Sequence, residues 1–274
     1  MKNPHFLKFT AFIKKNCNAP FSVKRQVFRA CMMTTLLYSS EVWCTNGVDK
    51  SIRKIYLSCI RGLLGVRNST DTDLCLHEVM MPSIEAIVYD IQRKYYTKIM
   101  NTAGNHTLLC RIMELGRKVK LRSGHEIKCK VMKHIDMIIA TNDKQRLPRD
   151  MTNRRERIAR TTKTKSILYK QWNPNLSHHD VYTTRKHFPE HWRIAWTRFR
   201  LGGTDLPCEK ARWTRGDVNP LCICGETQTE MHVLLECNER VVQGADTAEQ
   251  LFGNEDQRNT MKMVYDTLQK YENT

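Results

Sequence analysis

Residues 48–65 read VDKSIRKIYLSCIRGLLG, and this stretch decides the fold class. Val48, Ile52, Ile55, Tyr56, Cys59, Ile60, Leu63 and Leu64 recur at steps of three and four, which puts them on one broad face of a helix. Gly65 stands where a left-handed residue would end that helix. Upstream, Ser22 is a candidate cap for a helix whose apolar positions Val23, Val27, Phe28, Cys31, Leu37, Tyr38 and Val42 run on to Trp43. Downstream, Asn68 to Asp73 is a loop rich in capping residues ahead of a short helix from Leu74 to Met80. Pro82-Ser83 then opens a helix carrying Ile84, Ile87, Val88, Ile91, Tyr95 and Ile99. Strand signals are rare, and the hairpin-type dipeptide Asn46-Gly47 has helical flanks. The expected fold is mainly α, starting with a helical bundle.

A chain of 274 residues can bury a core without disulfides. Its formal net charge of +17 points to a polyanionic partner, with nucleic acid ahead of a membrane surface. No apolar run approaches the roughly 20 residues that span a bilayer. Lysines interrupt the N-terminal MKNPHFLKFTAFIKKN too often for a signal peptide. The eleven scattered cysteines fit reduced thiols. An intracellular protein, nuclear or cytoplasmic, without disulfides is therefore expected.

The charge is uneven. From Arg111 to Lys170 there are eighteen Lys and Arg against six Asp and Glu. Ile127, Val131, Ile135, Ile138 and Ile139 give part of this stretch a helical core face. Arg149 to Trp172 has few apolar residues and reads as a helix or as a segment ordered on binding. Arg154, Arg155, Arg157, Arg160, Lys163 and Lys165 are the candidate phosphate contacts. Beyond Pro189 a helix bears Trp192, Ile194, Ala195, Trp196 and Phe199. Arg198 and Arg200 are interleaved there and join the candidates for nucleic-acid contact.

The most specific chemistry lies in LCICGETQTEMHVLLECN, residues 221–238. Cys222, Cys224, His232 and Cys237 make a complete tetrahedral set for one structural zinc, leaving no open position for substrate. Gly225 suits the tight chelating turn, and Thr227 or Thr229 can cap a short helix from Glu230 to Cys237. Cys208 is a spare thiol that can replace one ligand. The chain thus divides into a bundle at 1–104, a basic linker at 105–186, an aromatic helix plus zinc segment at 187–240, and a tail with a last helix at 241–274. No phosphate loop or nucleophile elbow is present. The close acidic pairs Asp71 with Asp73 and Glu255 with Asp256 read as capping and tail residues. No catalytic set is complete, so the expectation is not an enzyme.

Two blocks carry a family resemblance. FSVKRQVFRACMMTTLLYSSEVW (21–43) with IRKIYLSCIRGLLGVRNSTDTD (52–73) resembles the region just after the palm in LINE-type (non-LTR) retrotransposon reverse transcriptases. FRLGGTDLPCEKARWTRGDVNPLCICGETQTEMHVLLEC (199–237) is similar to the zinc-binding segment near the end of the same polyproteins. The resemblance implies that Cys222, Cys224, His232 and Cys237 ligate zinc, and that Tyr38, Glu41 and Trp43 are structural positions of a thumb-like bundle. Ser39 or Ser40 stands where the family often has glycine. The polymerase Asp-Asp turn and the endonuclease are missing, which implies a truncated copy. Its role would be to help hold template RNA or target DNA in target-primed reverse transcription. A zinc-containing protein interaction module, with a protein partner or the missing palm, and a cryptic nuclease are the alternatives.

Overall fold

The computed structural model describes residues 4–44, 47–102, 130–183, 188–212, 214, 218–239 and 257–272. Ile127 and the Glu255–Asp256 pair lie outside the described residues. Within them the chain is mainly helical, and the one β feature is an isolated antiparallel bridge, Leu221 to Thr227. The helices are α1 (Pro4–Lys15), α2 (Phe21–Val27), α3 (Ser40–Trp43), α4 (Lys50–Leu64), α5 (Thr72–Glu78), α6 (Ile84–Thr102), α7 (Lys130–Thr141), α8 (Arg146–Arg160), α9 (Thr164–Trp172), α10 (Glu190–Arg200), α11 (Pro207–Ala211) and α12 (Gln257–Glu272).

The stretch from Val48 to Gly65 contains α4, as its period predicts. The Asp49 carboxylate accepts from the Ser51 amide at 2.7 Å, and Gly65 closes the helix with φ +73°. Tyr56, Cys59, Ile60, Leu63 and Leu64 are buried. Gly65 also meets α10: a Cβ there would stand 2.6 Å from Ile194 Cγ1. Arg193 and Arg198 of α10 reach back to cap α4, donating to the Leu63 carbonyl at 2.9 Å and the Gly65 carbonyl at 2.9 Å. Orphan carbonyls at a helix end are thus satisfied by side chains from another helix.

The long helix expected from Ser22 to Trp43 is broken. α2 runs on as a π segment, Phe28–Met33, and a short α turn, Thr34–Leu36. The chain then turns at Ser39, whose φ is +55°. Pro20, not Ser22, holds the N-cap position, and Tyr38 is 78% exposed. Ser39 occupies the left-handed region where glycine carries no steric cost, so its hydroxymethyl group is accommodated under strain.

One hydrophobic core runs from Phe9 to Tyr271 and takes in Ile158, Tyr169, Trp172, Val181 and Tyr182. Residues 146–182, expected within a linker, are therefore part of the packed body, with α8 against α5 and α6. Their few apolar residues suffice because Ile158, Tyr169, Trp172, Leu176, Val181 and Tyr182 all reach the core, while Ile167 stays exposed. A smaller cluster joins Tyr96 to Met132, Ile135 and Ile138 across α6 and α7. Tyr96 is a core residue here, not a base-stacking platform.

Candidate metal centre and basic surface

Leu221 to Glu226 fold into a chelating turn. The Cys222 amide donates to the Glu226 carbonyl at 2.7 Å, the Gly225 amide to the Cys222 carbonyl at 2.9 Å, and Gly225 takes φ +90°. Thr229 then starts the second half: its hydroxyl accepts from the His232 amide at 3.1 Å. His232–Glu236 is a π segment, closed by the Cys237 amide donating to the His232 carbonyl at 2.7 Å. An α-helix expected from Glu230 to Cys237 would have put residues five apart about 1.4 turns from each other. The wider π turn brings Cys237 back over His232, a local feature found at functional sites.

The ligand atoms of Cys222, Cys224, His232 and Cys237 all lie within 4.8 Å of one another and can hold a metal ion. Cys222 Sγ is 3.6 Å from Cys237 Sγ, Cys224 Sγ is 3.9 Å from Cys237 Sγ, and Cys224 Sγ is 3.2 Å from His232 Nε2. Cys222, His232 and Cys237 are buried and Cys224 is exposed. Cys208 is buried elsewhere, its thiol pushed up to about 11 by desolvation, and does not replace a ligand. The nine cysteines among the described residues are all free thiols.

One neighbour of this centre is not apparent from the motif. The Tyr271 hydroxyl on α12 donates to Cys237 Sγ at 3.4 Å and to the Glu239 carbonyl at 3.1 Å. Burial pushes the Cys237 thiol up, but the bond from Tyr271 and a backbone bond at Glu239 outweigh it and favour the thiolate. α12 packs chiefly on α10, so the last helix links the aromatic helix to the metal turn.

The basic candidates separate into two groups. Arg154 is 1% exposed, donating to the Met81 carbonyl at 2.7 Å and the Asp150 carboxylate at 2.8 Å. Arg200 is 2% exposed and donates to Glu78 at 2.7 and 3.4 Å, while the Tyr169 hydroxyl donates to the same carboxylate. Both were expected to meet phosphate; both instead neutralise interior carboxylates, because they fall on the packed faces of α8 and α10. Arg198 caps α4 and pairs with Asp205 at 3.2 Å.

Of the remaining candidates, Arg155, Arg157, Arg160 and Lys163 face solvent around the turn between α8 and α9. Arg157 grips Asp73 with two bonds, 3.0 and 2.8 Å, Lys163 pairs with Asp71 at 3.1 Å, and Arg155 donates to the Asn175 carbonyl at 2.7 Å. Arg160 is the freest, 83% exposed and 3.7 Å from Glu156. Lys165 is half-buried between Glu209 at 2.6 Å and Glu230 at 3.3 Å. Asp71 caps α5 while it holds Lys163, so the capping role expected of it stands beside a tertiary one.

No family model, curated protein or solved structure matches this chain. Among the described residues no helix is long and apolar enough to cross a membrane.

Proposed function

We propose that the chain is a zinc-stabilised, non-catalytic nucleic-acid-binding unit of the kind that follows the palm in LINE-type reverse transcriptases. Its role there would be to help grip template RNA or target DNA during target-primed reverse transcription. The observation that carries the metal half is the convergence of three thiols and one imidazole at sulfur separations of 3.6 and 3.9 Å. Thiolates arranged tetrahedrally at the zinc–sulfur bond length stand about 3.8 Å apart. Soft sulfur ligands in this geometry suit zinc, and a closed set of four makes it structural. Zinc bound here would tie the turn at Cys222 and Cys224 to the π segment and, through it, to α12.

The nucleic-acid half rests on Arg155, Arg157, Arg160 and Lys163, which crowd solvent at one turn of a strongly basic chain. Arg154 and Arg200 have no part in this reading. Neutralising about four phosphates gives a slope of log K against log salt near −3.6 on duplex DNA, so affinity for a 20-mer DNA duplex falls roughly 150-fold between 50 and 200 mM salt, and for a single-stranded RNA or DNA roughly 50-fold. Fluorescence anisotropy across that range, with zinc content measured on the same samples and on Cys222→Ser and His232→Ala, tests both halves. Salt-independent affinity sinks the nucleic-acid half, and a folded parent without zinc sinks the metal half.

A protein-docking reading keeps one supporting observation, the exposure of Leu221 and Ile223 on the metal turn. The aromatic face that would suit a partner helix is occupied, since Trp196 and Phe199 are in the core.

A further inference from the structure

A cleft of about 570 Å³ opens beside the metal turn. Leu221, Cys222 and Ile223 of the turn line it, together with Lys210 of α11 and the end of α12. Cys222 belongs to the ligand set and Tyr271, also in the lining, bonds to Cys237, so the elements that converge on the metal centre also shape the cleft.

Gln228 is the residue that points to a ligand. Its amide donates to the Pro220 carbonyl at 2.9 Å next to the bridge between Leu221 and Thr227, so backbone pairing holds it at the foot of the turn. Its side chain lines the cleft and the residue is 2% exposed, yet Oε1 has no hydrogen-bond partner among the described residues. A carboxamide oxygen can accept two bonds, and buried polar atoms in folded proteins nearly always have at least one partner. An unpaired acceptor in the wall of a cleft marks a place that a ligand's N–H completes.

The same oxygen rules out an ionised phosphate or carboxylate as the group it meets, since lone pairs would face lone pairs. Leu221 and Ile223 are 48% and 77% exposed, apolar surface that a flat ring can cover. Lys210 donates to the Glu272 carbonyl at 2.8 Å, a partner that orients the ammonium group without neutralising it. Lys270 stands beside it in the lining, with Nζ 5.2 Å from the centre of the Tyr271 ring. Glu272 is the one carboxylate among the lining residues, and it accepts from the Asp205 amide at 2.6 Å. A ligand with an N–H edge, a flat apolar face and a negative charge close by is a nucleotide whose base is free of the stack. An apolar protein face would cover Leu221 and Ile223 but bring no counter-charge for the lysines.

We infer that this cleft is a seat for one unpaired base of a single-stranded nucleic acid. The base covers Leu221 and Ile223, an N–H on its edge donates to Gln228 Oε1, and its phosphate lies towards Lys210. This rests on the nucleic-acid reading above and deepens it, adding a base contact to the phosphate contacts at the turn between α8 and α9. A free nucleoside monophosphate offers the same chemistry.

The test uses the full chain with zinc supplied, alongside Gln228→Met and Ile223→Ser. Anisotropy is measured with a labelled single-stranded 20-mer and with a 20-mer made of abasic residues. The Gln228 side-chain amide resonances are followed as the adenosine, cytidine, guanosine and uridine monophosphates are added in turn. Gln228→Met removes the acceptor at similar volume, so the base-bearing strand should bind about fivefold more weakly, while thermal stability holds or rises because no orphan oxygen remains. Ile223→Ser, at a position exposed in the fold, should weaken the same strand. The abasic strand should bind the parent less well than the base-bearing one and should not distinguish the three proteins. A parent that binds both strands alike, or a Gln228→Met variant that binds the base-bearing strand as well as the parent does, overturns the seat and leaves the nucleic-acid reading standing. A parent that ignores both strands but whose Gln228 amide shifts with a monophosphate keeps the seat, for a free nucleotide, and removes the nucleic-acid reading. A Gln228 amide unmoved by strand and by every monophosphate overturns the seat outright.

Discussion

Replacing Arg200 with Met separates interior from surface electrostatics. Arg200 and Glu78 pair at 2.7 Å with side chains 3% and 1% exposed. Removing one partner of such a pair leaves the other charge uncompensated, at a cost of about 3–5 kcal/mol. In a chain of this size each kcal/mol moves the melting temperature by about 2 °C, so Arg200→Met should melt roughly 6–10 °C lower. The pH dependence follows from Glu78. In the parent, burial pushes its carboxyl up, but Arg200 and Tyr169 outweigh that and hold it below the ordinary range. The pair therefore stabilises the fold above the unfolded carboxyl value, and that stabilisation is lost as pH falls through the folded one. Without Arg200 the bond from Tyr169 is left to oppose the burial, the carboxyl rises above its unfolded value, and the variant's deficit shrinks from pH 7 towards pH 5. A further Glu78→Gln change should recover most of the loss at pH 7, since an intact pair is worth little more than neutral groups. Thermal and urea denaturation of the parent, Arg200→Met and the double variant, with 20-mer affinity measured alongside, checks this. A melting shift under 2 °C together with weakened strand binding would refute the interior assignment of Arg200.

Three other outcomes are expected. Tyr271→Phe, which removes the donor to Cys237 Sγ at 3.4 Å, should weaken metal affinity at least tenfold in a chelator competition, and an unchanged affinity would remove Tyr271 from the metal centre. Ser39→Gly should raise unfolding free energy by up to about 1 kcal/mol in urea, because φ is +55° there; a loss of stability would contradict the left-handed turn. Burial lowers both His77 and His179 to about 4, so they stay neutral in the fold while the unfolded chain takes up protons. Stability should therefore fall as pH drops from about 6.5 to about 4, and His77→Gln should flatten that fall; an unaltered slope would rule His77 out as a source.

Much of the local architecture is legible in the residues themselves. The face of α4 with its Gly65 end depends on residues within a turn or two of one another, and the Cys/His cluster falls within sixteen residues, so near neighbours carry that information. The π segment at His232–Glu236 is not legible in this way, because its register is chosen by closure of Cys237 over His232, which helical period does not encode. The break at Ser39 is not legible either, because a serine gives no local signal for the positive φ that the structure puts there.

What the sequence alone determined was helical character, the clustering of Cys222, Cys224, His232 and Cys237, and an excess of positive charge. What only the tertiary structure decided was which of that charge is available. Arg154, Arg155, Arg157 and Arg160 read alike along the chain, but α5 and α6 pack on one side of α8, and that contact takes Arg154 inside with Ile158 while its neighbours stay in water. A buried guanidinium must find a carboxylate, and Asp150 lies one turn away to supply it. The same packing sets Arg67 and Asp71, distant in sequence, beside the start of α9. Residue type states what a side chain can do, and the face on which packing places it determines whether it meets solvent.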